Sequence, residues 1–169
     1  LKKKNGFQEW LEVMRFLFKE PLVLVLSLLK SGLAVAGGIM TLIPLMASQV
    51  ISKPSMLSLG IGVLYSARGL GAALGPLLVK RFFGETATVL HWSIAASFFL
   101  KAIAYLFISN SESLWTLSFG VAAATLCGSI IWVFSSALIH LSTPDHYLGR
   151  VFSFELAVMT LVMGISNWG

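Results

Sequence analysis

Residues 56–79 read MLSLGIGVLYSARGLGAALGPLLV, an apolar run with one charged side chain, Arg68. A helix needs roughly 20 apolar residues to cross about 30 Å of hydrocarbon, and this run is long enough. Gly71 and Gly75 form a small-xxx-small pair and Gly69 extends the low-volume surface, so close helix packing accounts for these glycines. The same length criterion selects 21–50, 88–108, 114–140 and 151–169, and the five stretches fill nearly the whole chain. Composition agrees: 57% of residues are hydrophobic, 11% are charged and the mean hydropathy is +0.87. A soluble core of this size would need a polar shell that these residues cannot supply. The expected class is an all-α, polytopic transmembrane bundle with the lipid bilayer as its solvent.

The charges outside these stretches orient it. Lys2, Lys3, Lys4, Arg15 and Lys19 precede the first span, Lys80 and Arg81 follow the second, and Arg150 opens the fifth. All eight share one side if the chain crosses at each span, whereas the opposite loops carry only Lys53. The positive-inside rule then places the N-terminus and the 80–87 and 141–150 loops in the cytoplasm of a multi-pass cell-membrane protein. Spread over loops in this way, the net charge of +5 does not form a nucleic-acid patch. Residues 1–20 make a cytoplasmic lead-in. Within it, FQEWLEVMRFLFKE (7–20) spaces Phe7, Trp10, Leu11, Met14, Leu17 and Phe18 as one face of an amphipathic helix. The connections at 84–87 and 110–113 are short, and 142–150 is the longest internal loop. Starting at Leu1 and stopping at Gly169 within an apolar run, the sequence reads as a piece of a longer polypeptide.

Lys30, Arg68, Lys101 and Glu155 fall inside the expected spans. A charge at bilayer depth costs about 2.5–3.5 kcal/mol on insertion scales, so such residues face a bundle interior, a cavity or a partner charge. The three cations are candidates either for a substrate pathway, where they would bind an anionic group, or for contacts with acids on other helices. Glu155, about one turn from Arg150, reads as a local pair with it or as an interfacial acid rather than a proton carrier. The histidines His91, His140 and His146 lack an HExxH spacing, and the lone Cys127 offers neither a disulfide nor a metal site. No nucleophile or phosphate-loop motif occurs, so no catalytic residue, metal site or cofactor is expected.

Three stretches carry a family resemblance. YSARGLGAALGPLLVKRFFG (65–84) resembles the glycine-rich eighth helix and basic cytoplasmic loop of the major facilitator superfamily. TPDHYLGRVFSFELA (143–157) resembles that family's lead into the eleventh helix, with Pro144 and Gly149-Arg150 at its marked positions. EWLEVMRFLFKEPLVLVL (9–26) is similar to the approach to the seventh helix in its drug- and siderophore-exporter branch. The family loop often has an acid before its basic pair; here Val79 precedes Lys80-Arg81. The resemblance implies half of a twelve-helix fold, helices seven to eleven, whose partner is an N-terminal half of the same polypeptide. It further implies secondary active transport by alternating access: export of a small-molecule substrate driven by a gradient of H+ or Na+. Lys80, Arg81, Gly149 and Arg150 would then be cytoplasmic loop or gate residues. The rival readings are a membrane-embedded lipid- or acyl-modifying enzyme and a non-transporting membrane subunit.

Overall fold

The computed structural model describes residues 6–35, 42–166 and 168, and seven helices run through them. These are α1 (Gly6–Lys19), α2 (Pro21–Val35), α3 (Ile43–Val50), α4 (Pro54–Phe83), α5 (Ala87–Ser109), α6 (Leu114–Ser142) and α7 (Asp145–Ser166). The helices α4 to α7 are each long and apolar enough to cross a membrane, and α2 is a shorter apolar helix. The architecture is that of a helical membrane bundle. The expected stretch 21–50 comprises α2 and α3, with residues 36–41 outside the described set.

Proline and glycine punctuate these helices. Pro21 and Pro54 open α2 and α4, Pro44 lies in the first turn of α3, and Pro144 immediately precedes α7. A first-turn residue has no helical acceptor for its N–H, so proline fits there. Pro76 is the exception inside α4, where it removes the donor that would reach the Ala72 carbonyl. Gly84 ends α4 at φ 84°, a conformation that a Cβ would strain, while its N–H still bonds the Lys80 carbonyl at 3.2 Å. Thr86 then caps α5 by accepting from the Val89 N–H at 3.4 Å. Before α6, Ser113 and Thr116 cap reciprocally: each hydroxyl oxygen accepts the other's backbone N–H at 3.2 Å.

The chain divides into two compact units. One is built on α3, α4, α5 and α6 as far as Phe134; the other holds α1, α2, α7 and the last turns of α6 from Ser135. In the first, Ile43 and Ala47 of α3 meet Leu64, Ala104, Ile108, Leu117, Val121 and Ala124 in a dry core. The positions 117, 121 and 124 repeat at helical spacing, which gives α6 one continuous buried stripe. Where α4 meets α6, glycine sets the distance. A Cβ on Gly71 would collide with the Ala122 carbonyl oxygen, and one on Gly75 would come within 2.5 Å of the Leu126 carbonyl oxygen. Lipid is as apolar as leucine, so helix association in a bilayer rests on such close packing. Gly69, expected on the same surface, is exposed, and a Cβ there would meet nothing within 4 Å.

The outward faces are apolar. Phe82, Trp92, Phe99 and Trp115 are each 70% exposed or more, a surface suited to hydrocarbon and headgroups rather than to water.

Candidate functional site

The second unit has a polar interior. The buried face of α2 comprises Val23, Leu26, Ser27, Lys30, Ser31 and Ala34, a helical stripe that packs against α7. Half of that stripe is polar. Ser27 returns its hydroxyl to the Val23 carbonyl at 2.8 Å, which satisfies it within the helix. Lys30 has no such local option and reaches across. Its Nζ donates to Ser136 Oγ of α6 at 2.7 Å and lies 3.0 Å from Glu155 Oε1 of α7. The carboxylate contact is an ion pair. Both side chains are buried, with 5% and 4% of their surface exposed, and the ammonium also stands 5.8 Å from the centroid of the Phe152 ring.

Three contacts fix how α2 and α7 run. The Phe16 and Tyr147 rings stack at 4.6 Å beside the starts of both helices, Lys30 meets Glu155 midway, and Ser166 Oγ donates to the Val35 carbonyl at 3.0 Å near their ends. The two helices are therefore parallel neighbours. Lys30 is nine residues past Pro21 and Glu155 ten past Asp145, so each lies about 14–15 Å along its helix.

Glu155 is the residue that sequence reading misplaces. A span starting at 151, with 142–150 as a loop, puts it near the interface. In the structure α7 begins at Asp145: Pro144 suits the position before a helix, its carbonyl accepts the Tyr147 N–H at 2.9 Å, and an acid opens the first turn. Glu155 thereby stands ten residues into its helix, where it is the partner of Lys30. Its signal is an acid flanked by Phe152, Phe154 and Leu156. The role of Ser136 has no such signal, since it depends on where α6 passes.

The remaining candidates are placed differently. Arg68 lies at the middle of α4 on an exposed face, its guanidinium 5.9 Å from the Tyr65 ring centroid one turn earlier. Lys101 is half-buried, with Nζ 5.7 Å from the Tyr105 ring centroid; a Cβ on Gly128 would stand 3.1 Å from that ammonium, so the glycine makes its room. Lys80 pairs with Glu85 at 2.8 Å in the open, and Arg81 is exposed. Gly149 is exposed, and a Cβ there would meet nothing within 4 Å, while Arg150 lines a cavity shared with α1. Among the described residues, no group of His, Cys, Asp and Glu side chains is arranged to hold a metal ion. No family model matches the chain, and no curated protein or solved structure matches it.

Proposed function

We propose that this chain is the C-terminal half of a secondary active transporter of the major facilitator type, exporting a small organic anion by alternating access. The observation that carries the reading is the Lys30–Glu155 pair, buried with Ser136 between apolar helices. Two ions in a low-dielectric interior are seldom there for stability, because apolar residues of similar volume do as well or better. Intramembrane ion pairs mark pathways and coupling sites far more often. Arg68 adds to the reading, since a cation exposed at the middle of an apolar helix calls for a cavity or a partner. In the proposed cycle an anionic substrate competes with Glu155 for Lys30, and a coupling proton or Na+ compensates the released carboxylate.

The test separates structure from transport. In the complete polypeptide, Lys30→Met with Glu155→Leu replaces the pair by an apolar contact that keeps the helices together. Carboxyfluorescein movement in energised proteoliposomes is expected to fall at least tenfold in that double variant and in Arg68→Ala, with insertion unchanged. Wild-type flux retained by both variants would remove these residues from any pathway. No flux in the wild type with any of a panel of organic anions would favour a non-transporting membrane subunit.

A further inference from the structure

At the end of the second unit where α1 meets the start of α7, a cavity of about 650 Å³ is lined by Arg15, Lys19, Arg150 and His146. Glu12 is the acid on its wall, and the stacked Phe16 and Tyr147 rings form its apolar floor. Three permanent cations against one carboxylate give it a positive excess. Arg150 also lines a second cavity of about 290 Å³, whose other walls include Trp10, Val13, Met14, Phe154 and Ala157. The two cavities thus share Arg150, the first charged and the second mainly apolar, with Ser153 as its other polar wall.

Their order along the membrane axis matters. Phe154 and Ala157 follow Arg150 by four and seven residues on α7, about 6 and 10 Å deeper into the bilayer. The charged chamber therefore lies at headgroup level and the apolar groove leads from it toward the hydrocarbon. α1 is suited to that level: Val13 and Leu17 are buried, packing the helix to its neighbours, while Trp10 and Phe18 remain 54% and 76% exposed.

We infer that this composite cavity is a binding site for an anionic phospholipid. Its phosphate lies among Arg15, Lys19 and Arg150, and one acyl chain follows the groove past Trp10 to Phe154 and Ala157. The guanidinium groups suit a phosphate as planar, permanently charged donors, and basic pockets beside membrane helices select anionic headgroups. A free phosphate would satisfy the chamber but leave the groove unused. A zwitterionic lipid would use the groove but bring its own cation into a positive chamber. The site is independent of the transport reading, because it uses neither Lys30 nor Glu155.

The experiment measures binding of radiolabelled phosphatidylglycerol and phosphatidylcholine to the delipidated chain in detergent. Phosphatidylglycerol is expected to bind about tenfold more tightly. Arg15→Gln and Lys19→Gln should each weaken it about fivefold, the effect of one surface cation near an anionic lipid. Ala157→Trp, which fills the groove and keeps every cation, should weaken phosphatidylglycerol by a similar factor. Thermal unfolding in lipid-free detergent checks that the variants remain folded. Equal binding of the two lipids would overturn the proposal, as would wild-type affinity in either the cation variants or the groove variant. Displacement of phosphatidylglycerol by millimolar inorganic phosphate would assign the chamber to a soluble anion instead.

Discussion

Two interiors in this chain solve the same problem by opposite means. In the unit of α3 to α6, helices meet through a dry core and a glycine seam, and its intramembrane cations stay at the margin: Arg68 is exposed and Lys101 half-buried. In the unit of α1, α2 and α7, a lysine and a glutamate occupy the interior itself, tied to a serine of α6. Close backbone packing holds helices together in lipid without any charge. An ionic interior is therefore not required for assembly, and among the described residues one unit has it and the other does not.

The largest break in this contrast should come from Glu155→Ala. It leaves the Lys30 ammonium buried beside Ser136 without its counter-charge, a change that costs about 3–5 kcal/mol when one partner of a buried pair is removed. Denaturant unfolding of the chain in mild detergent should show that loss. The double change Lys30→Met with Glu155→Leu should restore stability to wild type or above it. A stable single variant would mean that Lys30 is hydrated and that the two interiors differ less than their geometry states.

An intermediate effect is expected in the glycine seam. Gly71→Leu forces a side chain against the Ala122 carbonyl and the Thr125 hydroxyl, and overpacking of this kind costs about 1–3 kcal/mol. Gly69→Leu, on the same helix but in open space, should change stability by less than about 0.5 kcal/mol. The pair of measurements tests whether position on the helix, rather than glycine content, holds this unit together. Equal effects at both positions would dissolve the seam.

The smallest effect should belong to Arg68→Ala. Its guanidinium is exposed and rests beside Tyr65 of its own helix, so the same unfolding measurement should move by less than about 0.5 kcal/mol. A stability loss comparable to that of Glu155→Ala would make Arg68 a structural cation and end its candidacy for a pathway.

Much of this is legible in the residues. The lengths of the apolar runs announce the helices that α4 to α6 form, because bilayer thickness and helical rise leave little freedom. The amphipathic spacing of 7–20 announces α1, although among residues 10–20 the buried side chains are Val13 and Leu17, and Trp10 and Phe18 remain outside. Lys30 is legible as a costly charge. Its partner is not, since the start of α7 at Asp145 adds six residues of helix before Glu155, and helix starts are set by a few local bonds that apolar periodicity does not register. The glycines show the same limit: Gly69 and Gly71 are alike in a hydropathy profile, yet one points to open space and the other to a carbonyl.

By itself the sequence determined the solvent, the helical class and the identity of the charges that must be accommodated. Those follow from one-dimensional quantities: length of apolar run, hydropathy and the cost of an ion in hydrocarbon. Only the tertiary structure decided that Lys30 meets Glu155 and Ser136, that Gly71 rather than Gly69 touches α6, and that Arg150 joins a charged chamber to an apolar groove. Each of those depends on the rotation of one helix against another, where a single residue turns a side chain by about 100° and changes what it faces.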